Sequence, residues 1–183
     1  MNLPNSLTVF RILLIPFFLG FLVYGRTDAW YYGLALMTLI VAGITDILDG
    51  VIARRANQRT KLGAHLDPLA DKLLLTSAFV TLSLLQVIPI WVAIIILSRD
   101  LIIVTGTLLL YLTQTPMEVV PTVLGKGTTL AQLLYLALVL VLLYLQRDIS
   151  LLTPLLTVLL LLTVASGLQY VYRGIRAYRP HLV

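Results

Sequence analysis

Cysteine is absent from the 183 residues. That excludes a disulfide framework, thiol nucleophiles and thiolate metal centres, and implies nothing about compartment. Charge is scarce too. Only 11% of the residues are Asp, Glu, Lys or Arg, against about 25% in a soluble domain. Heptads, low-complexity tracts and a domain linker are all missing. No cleavable leader is expected, because the first apolar run follows a start without Lys or Arg and no small-residue cleavage site stands out. What fills the chain is apolar: 60% of it is hydrophobic and its mean hydropathy is +1.00. The fold expected is an all-α integral membrane protein, one domain over residues 1–183.

Read in order, the pattern predicts a short interfacial segment over residues 1–5, with Asn5 or Ser6 capping the first helix, and then six membrane-spanning helices. They run from Leu7 to Tyr24, Trp30 to Arg54, Lys61 to Leu85, Ile90 to Leu112, Lys126 to Leu145 and Leu151 to Tyr172. Each has about the 20 residues that a bilayer needs. Pro16 lies inside the first and threatens a kink, whereas Pro68 and Pro154 fall in early turns. Gln86 to Pro89 form a tight connection, Thr113 to Gly125 a polar loop, and Arg173 to Val183 a basic tail. Trp30, Trp91 and tyrosines near the span ends read as a belt at the headgroups.

Net charge is +5, and much of the excess lies in loops and tail. That points to anionic lipid headgroups and away from nucleic acid. Arg55, Arg59 and Lys61 follow the second helix, Lys126 ends the fourth loop, and Arg173, Arg176 and Arg179 form the tail. The alternate loops hold only Arg26 and Arg147. By the positive-inside rule both termini and the link after the second helix are cytoplasmic.

Four of the eight acidic residues crowd into one apolar stretch, as Asp46, Asp49, Asp67 and Asp71. A carboxylate in hydrocarbon costs several kcal/mol unless a cation or a wet cavity offsets it. Asp46, Asp49 and Ala53 share one face of a helix, and Gly63, Asp67 and Asp71 share a face of the next. A short turn makes the two helices neighbours, so the carboxylates are expected to meet across a seam. Oxygen is the only ligand atom on these faces, and His65 lies on another face. The expected guests are hard cations, Mg²⁺ or Mn²⁺, and two such ions suit phosphoryl chemistry. Gly50, Ala53 and Gly63 leave room for a flat or phosphorylated ligand. Buried ion pairs with Arg54, Arg55 and Lys72 are the alternative, but pairing alone does not require small residues between the acids.

These positions resemble the signature of the CDP-alcohol phosphotransferase family (phosphatidyltransferase class I). The match is Asp46, two residues, Asp49-Gly50, two residues, Ala53-Arg54, eight residues, Gly63, three residues, Asp67, three residues, Asp71. The opening Leu3-Pro4-Asn5 with Leu7-Thr8-Val9-Phe10-Arg11, and the run Leu66 to Lys72, are similar to bacterial phosphatidylglycerophosphate synthases and related cardiolipin synthases.

The resemblance implies transfer of a phosphatidyl group from CDP-diacylglycerol to a hydroxyl, with release of CMP. It implies that Asp46, Asp49, Asp67 and Asp71 bind metal and that Asp71 is the general base. Gly50, Ala53 and Gly63 would admit the cytidine, and Arg54 would help hold the nucleotide or an acidic partner. Asn5 and Arg11 either touch the nucleotide phosphates or serve as a helix cap and a snorkelling cation. Arg99, mid-span with Asp100, either binds an acceptor phosphate or forms a self-neutralising pair. Lys126 either binds acceptor phosphate or snorkels to the interface. Ser98-Arg99-Asp100, Thr107 and Asn57-Gln58-Arg59 resemble the CMP-forming cardiolipin synthases, whose acceptor is phosphatidylglycerol. Phosphatidylglycerophosphate synthase, with glycerol 3-phosphate as acceptor, is the alternative. A divalent-cation carrier is a remote one, since it gives no reason for the small residues. The family also implies a homodimer and a bacterial inner-membrane location with the active site cytoplasmic.

Overall fold

The computed structural model describes the backbone of residues 3–55, 61–112 and 122–178, and the side chains of residues 9–46, 72–106 and 122–173. Among the described residues the secondary structure is helical throughout. The helices are α1 Leu3–Tyr24, α2 Trp30–Arg55, α3 Lys61–Leu84, α4 Ile90–Leu112, α5 Val123–Tyr144 and α6 Thr153–Tyr178, with a 3-10 turn, Ile149–Leu152, leading into α6.

Three ends lie further from the sequence expectation than the one or two residues by which others differ. Helix α1 starts at Leu3, so Asn5 and Ser6 lie inside it and not at its N-cap position. The expected interfacial segment is therefore helix from Leu3 onward. Pro4 explains this: its missing N–H would have no acceptor in a first turn anyway. Helix α5 starts three residues before Lys126, because Thr122 caps it. The Gly125 N–H donates to Thr122 Oγ1 at 2.9 Å, the usual bond of an N-cap hydroxyl to the third helical residue. Helix α6 runs on to Tyr178, through the first half of the expected basic tail. Helix α1 also passes through Pro16 without ending.

The chain divides into two compact units. The first comprises Met1–Ile88 and Leu136–Ser150. Here α1 packs against both α2 and α3. Its buried stripe is Arg11, Phe18 and Leu22, and α2 contributes Tyr32, Ala35, Leu39 and Ala42. Leu74, Ala78, Phe79 and Leu82 come from α3, and Leu136, Val139 and Leu140 from the end of α5. Their spacing of three and four residues is the helical one. Gly33 has no side chain because the Tyr144 ring lies where one would go: a Cβ there would stand 3.0 Å from it.

The second unit comprises Pro89–Tyr135 and Leu151–Val183, and α4 packs against α6 within it. Its interior is more polar. Arg99, Thr122, Thr128, Gln132, Thr163 and Ser166 are buried among Val92, Ile96, Tyr135 and Leu159. Thr128 and Thr163 turn their hydroxyls onto carbonyls of their own helices, Leu124 and Leu159, both at 2.8 Å.

Apolar side chains cover the outside. On α6 alone Leu155, Val158, Leu161, Val164 and Leu168 are exposed, far more than a water-soluble surface tolerates. Among the described residues, Val123–Tyr144 and Ile149–Arg173 are long and apolar enough to cross a membrane, and Val9–Tyr24, Trp30–Asp46 and Lys72–Leu84 are shorter apolar helical stretches.

Candidate active site

The acid-bearing stretch is helical where the spacing predicts it. Helix α2 continues to Arg55 and α3 begins at Lys61. Positions 46, 49 and 53 therefore keep one helical register, and 63, 67 and 71 another. The side chains of Asn5, Asp49, Gly50, Ala53, Arg54, Gly63, His65, Asp67, Asp71 and Thr107 lie outside the described residues, as do residues 56–60.

Asp46 is the described member of the acid set. Its carboxylate Oδ1 stands 3.0 Å from Nη2 of Arg11, and the two side chains are 42% and 1% exposed. The asymmetry follows from the packing. Arg11 continues the stripe of Phe18 and Leu22 on the face of α1 that packs inward, whereas Asp46 follows Ala42 by one turn on α2. Thr45, beside it, returns its hydroxyl to the Ala42 carbonyl at 2.8 Å and offers nothing outward. The sequence alone pointed Arg11 at nucleotide phosphates; the structure brings it to the first aspartate of the motif. A signal existed, because a lone cation deep in an apolar helix needs a carboxylate partner, and Asp46 is on the next helix.

The donor chemistry at Asp46 fits a hard divalent cation. The group is a carboxylate, it is open over nearly half its surface, and one of its two oxygens is engaged by Arg11. A carboxylate with an accessible oxygen is the ligand that Mg²⁺ and Mn²⁺ favour. Among the described residues no three His, Cys, Asp or Glu side chains cluster; the other three motif aspartates fall outside them.

In the second unit Arg99 is the centre of a buried polar group. It is 6% exposed, and its Nη1 donates to Asp100 Oδ1 at 2.7 Å. Its Nη2 donates to Ser166 Oγ at 3.2 Å and to the Gly125 carbonyl at 3.4 Å. One guanidinium thus ties α4 to α5 and α6. Its Nε is buried without a hydrogen-bond partner, as is Nε2 of Gln132. Thr122 closes the end of this group: its N–H donates to the Tyr170 hydroxyl at 3.2 Å. Gly125 admits that contact, since a Cβ there would stand 3.1 Å from the Tyr170 oxygen. Lys126 is exposed in the first turns of α5. Sequence reasoning missed Ser166, Thr122 and Tyr170. Ser166 was the findable one, as a hydroxyl in the middle of an apolar helix.

The family model for CDP-alcohol phosphatidyltransferases matches residues 1–169. A probable phosphatidylglycerophosphate synthase from Mycobacterium tuberculosis is 35% identical over 183 residues, covering 96% of this chain and 82% of that protein. The CDP-diacylglycerol–glycerol-3-phosphate 3-phosphatidyltransferase of Bacillus subtilis is 39% identical over 143 residues, 73% of each chain. The human CMP-forming cardiolipin synthase is 42% identical over 106 residues, 57% of this chain and 34% of that one.

Proposed function

This chain belongs to the CDP-alcohol phosphatidyltransferase family, an enzyme of phospholipid synthesis, and from that membership we propose that it moves a phosphatidyl group from CDP-diacylglycerol onto phosphatidylglycerol. The products are cardiolipin and CMP. The observation that carries the acceptor is the Arg99–Asp100 pair, 2.7 Å apart, with Arg99 buried and Asp100 half-buried. Glycerol 3-phosphate is a phosphomonoester with a charge near −2 at neutral pH, as for other monoesters with a second pKa of about 6. Phosphatidylglycerol is a diester with a single charge. A guanidinium already neutralised by its neighbour suits the smaller charge, and its unpartnered buried Nε is a donor left for such a ligand.

The aspartates of the motif divide the work. Asp46, Asp49, Asp67 and Asp71 hold the divalent cations on which this family generally depends, Mg²⁺ or Mn²⁺ and two in number. Such cations supply neutralisation of the donor diphosphate and of the CMP that leaves. Gly50, Ala53 and Gly63 make room for cytidine, and Arg54 and Asn5 lie at the nucleotide. Asp71 takes the proton of the acceptor hydroxyl. That oxygen forms a new ester bond to the phosphorus bearing diacylglycerol, and the diphosphate P–O bond breaks. A carboxylate close to cations is a weak base, so the proton moves late, from a hydroxyl already in line. Arg99 and Lys126 hold the acceptor phosphate.

The family match from residue 1 to 169 supports one domain. Six membrane-spanning helices with both termini and the aspartates cytoplasmic, in a bacterial inner membrane and as a homodimer, complete the reading. Phosphatidylglycerophosphate synthesis is the second reading, favoured by the relatives of that name that cover 96% and 73% of the chain.

One assay decides between them. Purified protein with Mg²⁺ and CDP-diacylglycerol is offered phosphatidylglycerol or glycerol 3-phosphate, and the lipid product is identified. Cardiolipin is expected; phosphatidylglycerophosphate alone would overturn the acceptor. In the same assay Asp71→Asn should lower CMP release about 10²- to 10⁴-fold, the usual size of a general-base contribution.

A further inference from the structure

We propose that Arg11 is a positioning residue for the metal site: a built-in counter-cation that holds Asp46 by one oxygen, steadies that carboxylate when no metal is bound, and loosens its grip on the divalent ion. The inference rests on the reading of Asp46 as a metal ligand. It assigns to Arg11 a part that does not require contact with the nucleotide.

The argument starts from burial. Arg11 is 1% exposed, and a guanidinium so deep in a helix bundle is tolerated only against a negative charge. Asp46 supplies that charge at 3.0 Å, yet its own side chain is 42% exposed. The pair is thus buried on one side and open on the other. Arg11 fills the inner side of the carboxylate and leaves the outer side for a ligand.

The backbone makes the arrangement rigid. Arg11 lies on the stripe that also carries Phe18 and Leu22, all buried, and α1 packs against α2. The guanidinium cannot withdraw to solvent without parting these two helices. A divalent ion arriving at Asp46 therefore meets a fixed positive charge on the same carboxylate.

Two opposing effects follow from that charge. Holding Asp46 in one rotamer favours metal binding, by sparing the entropy of one short side chain. Like-charge repulsion opposes it, and repulsion between a divalent ion and a guanidinium sharing one carboxylate is the larger effect, because Arg11, 1% exposed, has little water of its own to screen it. Removing the charge of Arg11 should thus tighten metal binding while leaving the metal-free protein weaker. Turnover should fall, because Asp46 is then free to rotate, and the loss should appear in kcat more than in KM for the donor.

The test needs no substrate. The full chain in detergent is stripped with chelator and titrated with Mn²⁺, following free Mn²⁺ by electron paramagnetic resonance, and its melting midpoint is recorded with and without Mn²⁺. Wild type, Arg11→Met, Arg11→Lys and Asp46→Asn are compared. Arg11→Met should bind Mn²⁺ at least about three-fold more tightly, a shift of the size that a single charge pair produces. Its melting midpoint should rise more on adding Mn²⁺ than that of wild type. Arg11→Lys keeps the charge and should keep the wild-type affinity, so it serves where the Met variant does not fold. An unchanged or weaker affinity in Arg11→Met, or a tighter one in Arg11→Lys, overturns the proposal. If Asp46→Asn binds Mn²⁺ as wild type does, it is the metal reading of Asp46 that fails instead.

Discussion

Arg99 poses the sharpest question at the residue scale, because it is bound by protein and proposed to bind substrate. It reaches Asp100, Ser166 and the Gly125 carbonyl from one guanidinium. A cation with those partners holds three helices together whether or not it ever meets an acceptor. The two roles separate in a pair of variants. Arg99→Met alone takes the 2.7 Å cation partner from the part-buried Asp100 carboxylate, and breaking one half of a fully buried pair costs about 3–5 kcal/mol, less where one member is partly exposed. Its melting midpoint should drop sharply. Arg99→Met with Asp100→Leu removes both charges and should recover most of that loss, since apolar replacements of buried pairs are often neutral. If Arg99 also holds the acceptor, the double variant is stable but has a raised KM for phosphatidylglycerol and an unchanged KM for CDP-diacylglycerol. A stable double variant with both values unchanged would reduce Arg99 to a structural tie.

Helix ends govern the scale of the element. Two helices stop in the same way, each within one residue of where the sequence ends it, but the left-handed glutamine that makes each stop was not visible in the sequence. After α3, Gln86 adopts a φ of 57°, the Val87 N–H donates to the Leu82 carbonyl at 2.9 Å, and the Gln86 N–H donates to Ser83 at 3.0 Å. After α5, Gln146 adopts a φ of 52°, with Arg147 bonded to Leu142 at 2.8 Å and Gln146 to Leu143 at 3.1 Å. Both are Schellman endings with glutamine where glycine is the usual residue. Left-handed backbone costs a residue with a Cβ about 1 kcal/mol, so Gln86→Gly and Gln146→Gly should each raise stability by up to about that amount. Thermal or denaturant unfolding measures it, and a loss of stability in both would contradict the motif. The helices themselves were legible, because each is a long apolar run closed by loop residues. Asp28 and Asp148 open two of these connections alike, accepting from the N–H of Trp30 and of Ser150, each at 2.9 Å. Ser150 also donates its hydroxyl to Asp148 at 2.6 Å, and these bonds hold the Asp148 carboxyl below its ordinary value of 3.8. The family was legible as well, since fixed gaps between carboxylates and small residues carry its signature in the sequence alone. The inner partner could be read only in part. A cation deep in α1 asks for a carboxylate, but the spacing does not single out Asp46; the packing of α1 on α2 does.

At the scale of the molecule, the apolar outside and the lopsided loop charges require each other. Exposed leucines and valines along α6 are stable only in lipid, and lipid then forces every charged loop to one surface or the other. In the proposed six-span arrangement the link after α2 and the C-terminus would fall on one side, and the connections after α1 and α5 on the opposite side. The basic residues sort the same way: Arg55, Arg59 and Lys61 with Arg173, Arg176 and Arg179 against Arg26 and Arg147. Such a bias marks the cytoplasmic face, where on the proposed reading CDP-linked lipid and metal ions would meet. The absence of cysteine makes the arrangement directly measurable, because single cysteines can be introduced without background. Gln58→Cys and His181→Cys should react with a membrane-impermeant maleimide only from the cytoplasmic side, in inverted vesicles. Thr27→Cys and Arg147→Cys should react only from the outside, in intact cells. If Gln58→Cys and Thr27→Cys label from the same face, α2 does not cross, and the aspartates at its end no longer sit at the inner leaflet with the acyl chains of the donor beside them.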